Sequence, residues 1–266
     1  MGYCILQAHD GKMPPDVHWG FQNTGKEDER TLVFIKECAE RWGINIVWTE
    51  YDRVWGQDES LPHFKVVTFD TASRKGEPFL KMVDYYCHYR KEVKDLGPII
   101  PNMVNSMCTS FLKIRTAKNW MQSLGYEEWD AIIGIRTDEP KRYARMMAAN
   151  GKERWDNVMP MYRAGVIQNT VQSFWKLQPF DLGIDSDLGN CDLCFKKHIN
   201  KIYRALIQDP ELANFWIELE ERTGERFRLD RPGYKEMKFV AKQMRSQIDM
   251  FAKTPDEEDV ACGVCG

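Results

Sequence analysis

The stretch "FQNTGKEDERTLVFIKECAERWGINIVWTEYD", residues 21 to 52, holds an apolar run, a glycine turn, an amphipathic segment and a second apolar run. The first run, within residues 16–25, reads as a buried strand ending in a Gly25 turn. From 26 to 43, Leu32, Ile35, Cys38, Ala39 and Trp42 recur at helical spacing, acids fill the first turn, and Gly43 supplies the stop. Residues 44–50 read as a strand again. Strand, helix and strand in so short a span form a βαβ unit, whose two strands run parallel.

The same alternation continues outward. Residues 64–70 and 130–136 read as further strands, 78–90 as a helix opened by Pro78, and 107–125 as a helix closed by Gly125. This predicts an α/β fold, a parallel sheet covered by helices on both faces, over residues 1–190. Beyond about residue 190 only helical patterns remain, so a helical subdomain that opens on a C-x-x-C is expected over 191–252. The tail 253–266 is acidic, then glycine-rich with Cys262 and Cys265, and is expected to be mobile.

The chain has 266 residues, 37 basic against 40 acidic, a net charge of −3. There is no global pull toward nucleic acid or an anionic membrane, although a local basic groove is compatible with that balance. No apolar run approaches a membrane span and the start lacks a signal-peptide pattern, so a cytoplasmic protein without membrane partners is expected. Eight cysteines in such a chain point to metal binding, redox chemistry or buried thiols rather than to structural disulfides.

Candidate chemistry falls in two groups. In an open parallel sheet, ligands bind beyond the carboxyl ends of the strands. Asn23, Thr24 and Gly25 lead into a helix whose first amides could hold an anion, and 50–52 could accept bonds from a ribose or adenine. "GIRTDE" (134–139) sets Arg136 for a bidentate phosphate contact, with Asp138 beside it. Each polar strand end taken singly is also an ordinary turn, whereas together they favour a nucleotide site. Among the thiols, Cys38 lies on a helix's apolar stripe, and Cys4 and Cys87 read as small hydrophobes in helices. Cys108 stands near Lys113 and Arg115, a setting that favours a thiolate. With Cys191 and Cys194 of "GNCDLCFKKH" (189–198) it could hold an Fe–S cluster, or zinc with His198 as a fourth ligand. His198 reads more readily as a solvated or capping histidine than as a ligand. Cys262 and Cys265, on a charged tail, read as reactive or metal-binding thiols.

The opening stretch, together with "FDTASRKGEPF" (69–79), "MCTSFLKIRTAKNWM" (107–121), "IIGIRTDEPKR" (132–142) and "QPFDLGIDSDLGNCDLCFKK" (178–197), resembles the phosphoadenosine phosphosulfate (PAPS) reductase family. The likeness runs from about residue 17 to the C-terminus and is strongest to the phage and prophage branch of that family. The resemblance implies a Rossmann-like adenine nucleotide alpha hydrolase fold. It also implies an adenine nucleotide (ATP, PAPS or adenylyl sulfate) near Asn23, Thr24 and Gly25, with Arg136 on phosphate or sulfate. A 4Fe-4S cluster on Cys108, Cys191 and Cys194 follows from it, with Met107 where cluster-binding members have an adjacent second cysteine. Cys262 of "ACGVC" would correspond to the nucleophile of the family's tail motif, served by a thioredoxin-like reductant. The family's first strand and Ser-Gly-Gly phosphate loop have no counterpart here, and "MGYCILQAHDG" resembles the helix that follows that loop. That element is expected either upstream of Met1 or to be absent, which would expose sheet edges. Three functions stay open: reduction of PAPS or adenylyl sulfate, an ATP-pyrophosphatase type sulfurtransferase acting on nucleic acid, and a non-catalytic metal-binding module.

Overall fold

The computed structural model describes residues 1–184 and 191–252. Helix α1 (Gly2–Ala8) precedes strand β1 (Trp19–Asn23), helix α2 (Glu29–Trp42) and strand β2 (Ile46–Tyr51). The βαβ reading of this region holds: β1 and β2 are parallel, with Trp19 opposite Ile46 and Asn23 opposite Glu50. Helix α2 starts where the Asp28 carboxylate accepts the Arg30 amide at 2.9 Å. It stops at Gly43, whose φ of 61° is the left-handed conformation that ends many helices.

The next strand departs from the expected parallel sheet. Strand β3 (Phe64–Val67) pairs antiparallel to β2, giving the order β1-β2-β3. The connection 52–63 contains no helix, and a parallel return needs a crossover that is usually helical. The chain turns back instead, with the Asp52 amide on the His63 carbonyl at 3.0 Å.

Helix α3 (Glu77–Lys94) follows, opened by Pro78 in its first turn. The helix expected over 107–125 is present but begins as a π-helical turn, Thr109–Arg115, before α4 (Thr116–Ser123). Strand β4 (Trp129–Ile132), helix α5 (Pro140–Met147) and strand β5 (Trp155–Val158) form a second parallel βαβ unit. Strand β5, which sequence reasoning missed, pairs with β4 in a sheet of its own. The single continuous sheet is therefore replaced by two small ones, and β1 and β4 are each paired on one edge among the described residues.

Helices α6 (Pro160–Arg163) and α7 (Gln168–Lys176) close this half. Tyr3 of α1 packs on Trp42 and Phe174 there, over an apolar cleft of about 410 Å³. Cys4, read as a small hydrophobe in a helix, lies in α1 and is exposed on that cleft, because Leu6 is the residue that so short a helix buries.

Beyond residue 190 come α8 (Ile199–Gln208), a 3₁₀ turn (Pro210–Leu212), α9 (Ala213–Thr223) and α10 (Tyr234–Ala252), helical as expected. They share one core with the first part of the chain. Phe79, Met82 and Val83 of α3, with Ile100, Met107 and Leu112, lie in the same buried cluster as Leu193, Phe195, Ile202, Leu206, Trp216 and Phe227. Trp216, 1% exposed, touches Phe79, Phe227 and Tyr234. Among the described residues no helix is long and apolar enough to cross a membrane.

Candidate functional site

The carboxyl end of β1 is a buried polar knot. Asn23 is fully buried; its side-chain amide donates to Glu50 Oε1 at 2.7 Å and to the Ser73 carbonyl at 2.8 Å. Glu50, equally buried, also accepts from the Ser73 amide and hydroxyl, and pairs with Lys65 at 3.1 Å. A carboxylate removed from water survives because every side of it meets a donor. Gly25 has φ 77°, and a β-carbon there would stand 3.0 Å from the Gly76 backbone nitrogen, so the close approach of α3 requires glycine.

The amides of the turn that leads into α2 are engaged within it. The Gly25 amide donates to Asn23 Oδ1 at 3.1 Å, and the Thr24 amide and hydroxyl both donate to Glu27. Glu27, with a side chain 2% exposed, takes up both Thr24 donors and is paired with Lys113 at 3.8 Å. An anion entering this turn has to displace that carboxylate.

On the other side of Thr24 lies the C-x-x-C. The Thr24 hydroxyl is 3.5 Å from Cys191 Sγ. Cys191 forms an isolated bridge with Glu27, and the Asp192 amide donates to the Lys26 carbonyl at 2.8 Å. The side chains of Lys26 and Asp192 pair at 2.8 Å, 10% and 12% exposed, with the ammonium over the Phe215 ring. The other Asp192 oxygen accepts from Trp216 Nε1 at 3.0 Å. Further along, Tyr234 donates to the Leu193 carbonyl, and Arg231 to those of Phe195 and Lys197. The Cys194 amide closes the turn on Cys191 at 3.3 Å. The loop is thus pinned at nearly every residue, and its thiols are held at the end of β1.

Cys108, from a segment more than eighty residues away, reaches the same place at the start of the π-helical turn. Burial, and then the charge of the adjacent Cys194, push the Cys108 thiol up, against Lys196 and Thr109. Burial, then Glu27, push Cys191 up, with Cys194 adding to it and Lys113 and Thr24 opposing. Cys194 is therefore an electrostatic neighbour of both. Lys196 also reaches across to the Thr109 hydroxyl at 3.4 Å. The sequence reading of an activated thiolate at Cys108 is corrected: basic neighbours are present, but desolvation outweighs them.

The three thiols are neighbours without forming a closed ligand set. Among the described residues, no group of three His, Cys, Asp or Glu side chains is arranged to hold a metal ion. His198 caps α8 by accepting the Asn200 amide at 3.3 Å, the second of its two readings. Cys38 is buried and pushed up to about 12, and Cys87 exchanges bonds with the Ile99 backbone, so both are structural. Cys262 and Cys265 lie outside the described residues.

Arg136 and Asp138 form a separate arrangement after β4. Arg136 Nε donates to Asp138 Oδ1 at 2.8 Å, its backbone amide to Glu139 at 3.1 Å, and Asp138 also accepts the Gln168 amide. The guanidinium at its side, before all else, holds the Asp138 carboxyl below the usual range. The fork that would clasp a phosphate is engaged by its own loop. Sequence reasoning missed Lys26, Glu27 and Asp192; their clue was acidic and basic residues falling in turns, which has no partner written in it. Glu50, read as an acceptor for a ribose or adenine, is taken up by Asn23, Ser73 and Lys65.

No family model matches this chain, and no solved structure matches it. It is similar to the uncharacterized nin region protein ORF290 of Escherichia phage lambda, 27% identical over 248 residues, spanning 92% of this chain and 77% of that protein.

Proposed function

We propose that this chain is a PAPS reductase-like protein of the adenine nucleotide alpha hydrolase type, acting on an adenine nucleotide beside a thiol centre. The observation that carries the reading is the meeting of Cys108, Cys191 and Cys194 at the carboxyl end of β1, the strand end where a parallel βαβ unit binds its ligand. The similarity to a phage protein accords with the phage and prophage branch of that family.

The donor types suit a thiophilic group although they are not arranged as a ligand set: Cys194 is the electrostatic neighbour of Cys108 and of Cys191, with Lys113, Lys196 and Lys197 nearby to offset thiolate charge. In this reading Cys108, Cys191 and Cys194 would hold a 4Fe-4S cluster or zinc, which supplies electrostatic polarisation beside the substrate. Thiols raised by burial are poor nucleophiles but are deprotonated by a metal. Attack on sulfur then belongs to Cys262. Its thiolate would bond to the sulfonate sulfur of PAPS or adenylyl sulfate as the S–O bond to phosphate breaks and the nucleotide leaves. A thioredoxin-like dithiol would next attack the Cys262 sulfur, release sulfite and end as a disulfide.

Anaerobically purified protein with reduced thioredoxin should release sulfite from one of the two sulfonucleotides, and Cys262→Ser should abolish it. Absence of sulfite from both, in protein that also lacks iron and zinc, would refute the proposal. A second reading, a metal-binding module without turnover, is favoured by the Thr24 and Gly25 amides being engaged with Glu27 and Asn23. It would keep the metal and release no sulfite.

A further inference from the structure

Residues 136–163, which hold α5, β5 and α6, carry seven lysines and arginines against four acids, in a chain of net charge −3. All four carboxylates are engaged. Asp138 and Glu139 take Arg136 and Arg142, Glu153 pairs with Lys118 at 3.1 Å, and Asp156 accepts the Gly151 amide at 2.9 Å. Arg154 stands beside Glu127 and Glu128 and donates to the Glu127 carbonyl, so its charge is not counted here. Lys141, Arg145, Lys152 and Arg163 remain. All four are exposed, and among the described residues their side chains have no hydrogen bond, carboxylate or ring partner.

The fold sets these four in a row. Lys141 and Arg145, four residues apart in α5, share one face of the helix. Tyr143 points the other way and stacks on Tyr162 of α6, ring centroids 3.7 Å apart and planes 9° apart. The Tyr162 carbonyl also accepts the Thr137 hydroxyl at 2.9 Å, which fixes Arg163 beside the first turn of α5. At the other end the side-chain amide of buried Asn157 donates to the Met146 carbonyl at 3.1 Å and to Asn150 Oδ1 at 2.8 Å. The turn that carries Lys152 is thereby held to the last turn of the helix.

Uncompensated cations in a row on an acidic protein match a polyanion. A lipid surface suits this one poorly, since a helix lying there buries its apolar side, and that side of α5 is packed on α6. A single-stranded nucleic acid needs rings free to stack on its bases, whereas Tyr143 and Tyr162 stack on each other. A duplex presents phosphates alone on its outside. The eight residues of α5 span about 12 Å. The major groove of B-form DNA, about 12 Å wide, admits a helix, and the deep, narrow one of duplex RNA does not.

We propose that the outer face of α5, with Lys152 and Arg163 at its two ends, docks double-stranded DNA through phosphate contacts. The inference goes beyond the reductase reading, whose substrate is a free nucleotide, and it requires neither metal nor turnover.

The test is fluorescence anisotropy of the whole protein with a labelled duplex DNA of mixed sequence, over a series of salt concentrations. The duplex should bind, and log affinity should fall linearly with log salt, by a slope of about −0.9 for each phosphate neutralised. Lys141→Gln combined with Arg145→Gln should make that slope shallower by about 2, and Arg163→Gln alone by about 1. Lys235→Gln, whose ammonium pairs with Glu221 elsewhere, should leave it unchanged. The substituted α5 and α6 side chains are exposed and without partners, so the circular dichroism spectrum and melting temperature should stay as they are. Failure of duplex DNA to bind at low salt, or one slope for the double variant and the unsubstituted protein, overturns the inference. So does tighter binding of single-stranded DNA, duplex RNA or phosphatidylserine vesicles than of duplex DNA. DNA binding by protein that releases no sulfite would retain this surface and remove the reductase; sulfite release without DNA binding would do the reverse.

Discussion

At the scale of single residues, the contest at Cys108 and Cys191 is between desolvation and nearby cations, and desolvation wins at both. A thiol whose pKa is raised carries little thiolate near neutrality, so it reacts slowly there and gains rate only as pH climbs. In metal-free protein, iodoacetamide at pH 7.5 should therefore modify the exposed Cys4 well before Cys108 or Cys191, as peptide mass mapping would record. Labelling of Cys191 as fast as Cys4 would contradict burial as what holds its thiol protonated. The three cysteines themselves were legible from spacing and basic surroundings. What surrounds them was not: the Thr24 hydroxyl, Glu27 and Lys113 come from distant segments, and no periodicity records which buried acid will face which thiol.

At the scale of elements, the C-x-x-C loop is tied to the turn after β1 by the Lys26–Asp192 pair, and the tie is mutual. Asp192→Ala leaves an ammonium and the Trp216 N–H without their partner, and should destabilise by about 3–5 kcal/mol in urea unfolding. The double change Lys26→Met with Asp192→Leu should recover part of that loss, since burying apolar groups avoids the desolvation of both ions. The contact of the 3₁₀ turn with α10 depends on Glu211, whose carboxyl Lys238, then Asn214 and Lys242, hold down at about 2. A carboxyl lowered on folding contributes stability above its unfolded value, about 4.3, and loses it as pH falls toward the folded one. Thermal scans of the unsubstituted protein and Glu211→Gln should therefore differ at pH 6 and converge between about pH 4 and 2. Helices and strands were readable because apolar spacing reports which face is buried. The direction of β3 was not, since "FKVV" alternates alike in either orientation and the connection 52–63 decides it. The sheet split and β5 escaped for a related reason: "WDNV" is short and half polar, and pairing partners leave no local mark.

At the scale of the molecule, a change of pattern near residue 190 suggested two parts, and the apolar core runs through that point. Phe79 of α3 packs edge-on against Trp216 of α9 and Phe215 beside it, while Leu193 and Phe195 of the cysteine loop are buried in the same cluster. Elements that share one core lose their packing together, so the chain should unfold in one step rather than in two. Tryptophan fluorescence and far-ultraviolet circular dichroism should give coincident urea transitions. Phe79→Ala, which empties a site 1% exposed, should shift both by about 3–5 kcal/mol. Two separated transitions, with Phe79→Ala moving one alone, would show that the halves fold apart. The outcome bears on the candidate site, because Thr24 and Cys108 come from one side of residue 190 and Cys191 and Cys194 from the other. If the core is cooperative, the thiol centre exists only in the fully folded chain. A metal bound there would then raise the midpoint of the whole transition, by an amount that grows with metal concentration.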